Sequence, residues 1–335
     1  MQEGGGRMEV KKWTAILLCI ILCAGSIPIP CNAAAKKTSG ADGNGNTWVY
    51  NVNTKTLTFS GNKGIENYIF DGHSPEPGWY VWHDKAEHII VNDGVTGIGQ
   101  WAFYLFVELK TVVMADSVTR IGYGAFSACR NLKSIRLSAN VTTIEREAFY
   151  RCAKLEHLTL PHTLKTLGTF GSCSKLKEVI IPDSVSRTYK ALFVDCTSLS
   201  KIKLPKGMKE IKQHDFANCK NLRTLEIPEA VTTVSMSAFS GTKLKKIKLP
   251  KNVTTIKKGL SYRGKVFAVN YDFELPTKNL RLIEIKSKKV KSIAKGSFSG
   301  LSSKVVVKVP KSRKKKYTKI LRESGLEKKV KIRTL

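Results

Sequence analysis

Five cysteines, Cys129, Cys152, Cys173, Cys196 and Cys219, recur at spacings of 23, 21, 23 and 23 residues. A thiol repeated this regularly has to be tested first against redox and metal chemistry. Metal-binding cysteines come in close pairs or beside histidines, and a disulfide framework uses an even number. Here the number is odd, and each Cys follows a Phe by three residues. The pattern predicts a buried column of small apolar side chains. Neighbouring coils of a stacked repeat lie about 5 Å apart, so distance alone leaves an occasional disulfide open. The histidines His73, His83, His88, His157, His162 and His214 form no H-E-x-x-H or Cys/His set, and no metal is expected. There is no nucleophile elbow, phosphate-cradling loop or kinase signature. No paired acid and base can be assigned among the carboxylates. The chain is read as a non-enzyme with no catalytic residue and no cofactor.

The remaining chemistry belongs to lysine. The formal net charge is +31, and it is unevenly placed. From Lys243 to Leu335 there are 29 Lys and Arg against 5 Asp and Glu, a net +24, whereas Lys36 to Gly99 carries 5 against 7, a net −2. Clustered lysines neutralise phosphate, sulfate or carboxylate polymers by releasing counterions. The competing reading is a solvated exterior that keeps a long sheet soluble and its edges unpaired. Lys outnumbers Arg, which suits diffuse electrostatics better than bidentate recognition. The candidate ligand-binding residues are Lys203, Lys246, Lys248, Lys286 and Lys288, then Lys311, Arg313, Lys314, Lys315 and Lys316, with Tyr262 and Tyr271 beside them.

Those residues are positioned by a repeat. Phe103, Phe126, Phe149, Phe170, Phe193, Phe216 and Phe239 are spaced 23, 23, 21, 23, 23 and 23. Such a period means a stack of coils in which no single unit can bury its apolar face. In the clearest copy the apolar set is Val118, Ile121, Ala125, Phe126, Cys129, Leu132, Ile135 and Leu137. Its end, Leu132-x-x-Ile135-x-Leu137, alternates with period two and reads as a strand; Val118-x-x-Ile121 reads as a second extended piece. Pro161, Pro182, Pro205, Pro228 and Pro250 follow the strand in their coils, where a missing N–H ends the ladder. The side chains expected to face away from the core are Arg136, Thr159, Ile180, Lys203, Glu226, Lys248 and Glu284, with Ser134, His157, Glu178, Lys201, Thr224 and Lys246 just before the inward pair.

The run V-T-R-I-G-Y-G-A-F-S-A-C-R-N-L-K-S-I-R-L at Val118 to Leu137 resembles the BspA-like leucine-rich repeat of bacterial surface proteins, and its variants extend over about Val95 to Pro310. Thr169 before Phe170, Thr188 in place of Ile, and Gly241-Thr242 in the Cys region are local departures. Trp48-Val49-Tyr50, Leu57 to Gly61 and Ile89 to Val95 are similar to the N-terminal module that often precedes these repeats. The resemblance implies a secreted or surface-exposed, non-catalytic recognition protein associated with adhesion to host matrix proteins or other cells.

The expected architecture is a β-rich leucine-rich-repeat solenoid of about nine coils of about 23 residues, with parallel stacked strands. Residues 1–35 read as a signal peptide, with Lys11 and Lys12 before an apolar run and Ala33 to Ala35 after it, and with Met8 as an alternative start. Residues 36–94 form a small β cap in which Trp79 and Trp82 pack internally. Residues 95–310 form the solenoid, whose eighth coil is irregular through an insertion at 259–279, and residues 311–335 a basic strand-helix-strand cap. The partners expected are a host or cell-surface protein, or an anionic wall or surface polymer; no specific nucleic acid, no membrane span in the mature chain, and a monomer. The alternatives are a wall-acting hydrolase with the repeats as a targeting arm, or a Lys-rich structural wall protein without a specific ligand.

Overall fold

A computed structural model of the chain describes residues 37–69, 76–258, 262–263, 270–271 and 279–335. The expected signal peptide and most of the 259–279 insertion lie outside the described residues. The chain winds into a solenoid of about ten turns in which strands of successive coils lie parallel. Coils are numbered here from the one containing Phe103, so that Phe193 belongs to coil 5 and Phe216 to coil 6.

Two faces of the stack carry parallel strands. The front sheet is made of the strands that close each coil. It begins with Thr56–Ser60, His88–Val91, Thr111–Met114 and Ser134–Arg136 in one ladder. Ser39–Ala41 and Thr47–Asn51 extend its first edge antiparallel. It continues as Glu178–Ile180 with Lys201–Lys203. It resumes as Lys246–Leu249, Leu282–Ile285, Val306–Val309 and Lys331–Thr334. The back sheet is made of the short opening strands. Gly97–Ile98, Arg120–Ile121, Thr143–Ile144, Thr166–Leu167 and Arg187–Thr188 form one set. Glu210–Ile211, Thr233–Ser235, Thr255–Lys257 and Ser292–Ile293 form the other.

Between the sheets the Phe rings stack. All seven from Phe103 to Phe239 are fully buried, and Phe126 and Phe149 lie 5.5 Å apart with an interplanar angle of 2°. The cysteine column is buried and free of disulfides. Each thiol has a local role that spacing did not show: it donates to the Phe carbonyl of the preceding coil, at 3.1 Å for Cys129 to Phe103 and 3.2 Å for Cys152 to Phe126. Burial pushes the Cys173 thiol up to about 12, so it stays protonated and inert.

The bends have a geometry of their own. Leu105, Ala128, Arg151, Ser172, Asp195 and Asn218 occupy one position of successive coils, all with φ between 59° and 62°. This left-handed conformation aims each amide at the next coil, where it donates to Ser127, Tyr150, Gly171, Val194, Ala217 and Ser240 at 2.7–3.0 Å. Those bonds form a third ladder, running along the bends.

At the first end, Trp79 is fully buried, donates from Nε1 to the Ala102 carbonyl at 2.9 Å and meets Phe59 edge-on. Trp82 stacks on Tyr50 at 4.0 Å. At the other end, a 3-10 turn at Lys311–Arg313 leads into the helix Lys314–Glu323. Of that helix only Tyr317 and Leu321 are buried, and the Tyr317 hydroxyl donates to the Ser287 carbonyl at 2.9 Å. Among the described residues no helix is long and apolar enough to cross a membrane.

Candidate functional site: a cationic groove and a basic helix

The front sheet is interrupted at Thr224–Ile227 in coil 6. The segment is extended in the sequence sense, with Leu225 and Ile227 turned inward, yet among the described residues no backbone hydrogen bond joins it to Lys201–Lys203 on one side. On the other side it is equally unpaired with Lys246–Leu249, the nearest link being Lys243 N to the Leu222 carbonyl at 3.0 Å. A groove of roughly 810 Å³ opens there. Its apolar lining comes from Ile202, Leu225, Ile227 and Pro250. Its charged lining is Lys201, Arg223, Lys245, Lys246, Lys248 and Lys286, opposed by Glu226 and Glu229. Six cations against two carboxylates make it an anion-attracting surface.

Not all of that charge is free. Lys201 pairs with Glu178 at 2.7 Å and Lys246 with Glu284 at 2.9 Å. Lys245, Lys248, Lys286 and Arg223 have no salt-bridge partner among the described residues. Glu284 corrects the sequence reading: expected to face solvent, it is 9% exposed, because it is covered on the sheet and held by Lys246.

Of the residues expected to bind ligand, Lys246, Lys248 and Lys286 line the groove together. Lys203 is exposed on the adjoining strand and Lys288 is exposed just beyond Leu282–Ile285, but neither is part of the lining. Lys311, Arg313, Lys314, Lys315 and Lys316 are all exposed on the 3-10 turn and first helical turn, a separate basic surface. Tyr262 and Tyr271 stand opposite each other where Tyr262–Arg263 and Asn270–Tyr271 pair antiparallel; their side chains lie outside the described residues. Lys201, Lys245, Arg223 and Leu225 were not among the expected binding residues. Their signal was available, since Lys201 is itself an outward position and the others adjoin outward positions of their coils. The interruption that makes a groove of them was not.

No group of three or more His, Cys, Asp and Glu side chains that could hold a metal occurs among the described residues. The carboxylate most strongly raised among the described residues, Asp215, is fully buried in the bend of coil 6 rather than on a surface. Burial lifts it to about 7, against hydrogen bonds that it accepts from the Lys212 and Leu192 amides.

The family model described as a BspA type leucine rich repeat region (6 copies) matches residues 80–186 and 168–264. The chain belongs to this family. No curated protein matches the BspA-type chain significantly. Among solved structures, a leucine-rich repeat protein from Bacteroides ovatus is 21% identical, with a TM-score of 0.53, covering 86% of this chain and 77% of its own. That likeness supports the solenoid fold. A T. pallidum leucine rich repeat protein is 26% identical over 58% of this chain and 85% of its own, with a TM-score of 0.45. The BspA-type repeat is thus the scaffold on which the groove and the basic helix are carried.

Proposed function

We propose that this BspA-type repeat protein is a secreted or cell-surface, non-catalytic recognition protein, an adhesin in the broad sense, that engages a protein or an anionic polymer. The observation that carries the reading is the set of exposed cations without ion-pair partners on the front sheet and on the turn and helix from Lys311 to Lys316. Non-catalytic character rests on membership of a repeat family. Export rests on the signal-like composition of residues 1–35. The basic C-terminal surface serves in this reading to hold the protein on anionic wall or surface polymers, through diffuse charge rather than a shaped pocket.

The test is a salt wash of intact producing cells followed by fractionation. Attachment through lysines to a polyanion is screened as the Debye length shrinks from about 10 Å at 0.1 M to about 3 Å at 1 M. Wild-type protein should therefore come off in high salt, and a chain with Lys311 and Lys314 to Lys316 changed to Gln should be found in the medium before the wash. Retention of both through the wash would refute the polyanion attachment, and recovery in the cytosol would refute the export.

A further inference from the structure

The groove lies where the solenoid is pulled open. The side chain before each Phe changes along the stack. It reads Ala102, Ala125 and Ala148 in the first three coils, then Thr169, Leu192 and Asp215. The Phe ring separations follow: 5.2 Å, 5.5 Å and 5.3 Å up to Phe170, then 5.8 Å to Phe193 and 6.4 Å from Phe193 to Phe216. Between coils 5 and 6 both sheet ladders are absent among the described residues. Lys201–Lys203 does not pair with Thr224–Ile227, and Arg187–Thr188 does not pair with Glu210–Ile211. The bend holds, with Ala191, Phe193 and Asp195 amides donating to Gln213, Asp215 and Ala217 carbonyls at 2.8–2.9 Å, and outside it the two coils are joined by side-chain bonds, the Lys206 amide to Asp183 Oδ1 at 2.7 Å and Lys212 Nζ to the Thr188 carbonyl.

We propose that this groove binds an extended acidic segment of a partner polypeptide. Three features select that ligand. The main-chain groups of Thr224, Leu225 and Glu226 have no ladder partner among the described residues, and an extended peptide offers amides and carbonyls at the matching two-residue repeat. The half-buried Leu225 and Ile202 give the groove an apolar floor on which side chains of such a peptide can rest. The unpaired Lys245, Lys248 and Lys286 meet the intervening side chains, which must then be carboxylates. An anionic polysaccharide would use the lysines but neither the apolar floor nor the amide array. The proposal rests on the recognition function above and narrows it to one site and one ligand class.

The test uses the secreted chain and a short blocked peptide alternating glutamate with valine, with its affinity measured by fluorescence anisotropy. The peptide should bind, and K245Q/K248Q should weaken it by about tenfold or more. Replacing glutamate by glutamine, or N-methylating alternate amides of the peptide, should weaken it comparably while leaving the protein untouched. Neutralising Lys311 and Lys314 to Lys316 should leave this affinity unchanged, so the groove can fail while the polymer attachment stands, and the reverse. Equal binding by wild type and K245Q/K248Q would overturn the proposal. So would indifference to N-methylation together with displacement by hyaluronate, which would make the groove a polysaccharide surface.

Discussion

Asp215 is a carboxylate in a column otherwise made of Ala, Thr and Leu, and its burial has a thermodynamic consequence. Its ordinary value is 3.8 and its folded value about 7, raised chiefly by burial. Between these values the folded chain holds a proton that the unfolded chain releases, so this group lowers stability as pH rises from about 4 to about 7 and keeps it lowered above. The neighbouring His214, lowered by burial to about 4, acts in the opposite sense: it keeps the folded chain neutral while the unfolded chain takes a proton below about 6.5. The two offset each other in the wild type, and only single substitutions separate them. Asp215→Asn should stabilise the protein by about 2–4 kcal/mol at pH 8. The gain should vanish towards pH 4, as read from urea denaturation at the two pH values. A gain independent of pH would show that Asp215 is not neutral in the fold near pH 5.

At the scale of the element, the bend is the part that sequence patterns show least. Ser172 has φ of 61° and no side-chain hydrogen bond among the described residues, so its backbone is held where a side chain is unwelcome. Ser172→Gly should stabilise by about 0.5–1 kcal/mol. Gly241 has φ of 69° at the equivalent place, and an added Cβ would clash with Asn218 Oδ1. Gly241→Ala should cost about 1 kcal/mol or more. Thermal melts of the two variants should move in opposite directions. The strands and the Phe stack were legible because apolar periodicity and proline report burial and ladder ends directly. The bends were not, because Leu105, Ala128, Arg151, Ser172 and Asp195 share a backbone angle but no chemistry. The groove was half legible. Lys246, Lys248 and Lys286 could be read as outward cations, but their convergence depends on a ladder that is missing, and Glu284 was misplaced because ion pairing and cover by neighbours do not appear in an alternating pattern.

Over the whole molecule, charge and packing are divided along the axis. The net charge is close to balanced in the first module and strongly positive from Lys243 onward, while the ring stack widens from 5.2 Å between the first two coils to 6.4 Å between coils 5 and 6. On the proposed reading as a cell-surface protein, the chain is pulled as well as bound. Load applied along the stack is shared by two or three ladders at each joint of coils 1 to 5, but at the joint of coils 5 and 6 both sheet ladders are missing among the described residues, and it falls on the bend bonds, the buried side chains and a few side-chain bonds such as Lys212 Nζ to the Thr188 carbonyl. That joint is the mechanical fuse. Stretched between its ends, the protein should part there first, its initial rip releasing the chain on the C-terminal side of Pro205 while coils 1 to 5 stay wound. Force spectroscopy would place the first rip elsewhere if the side-chain packing alone made the joint as strong as its neighbours.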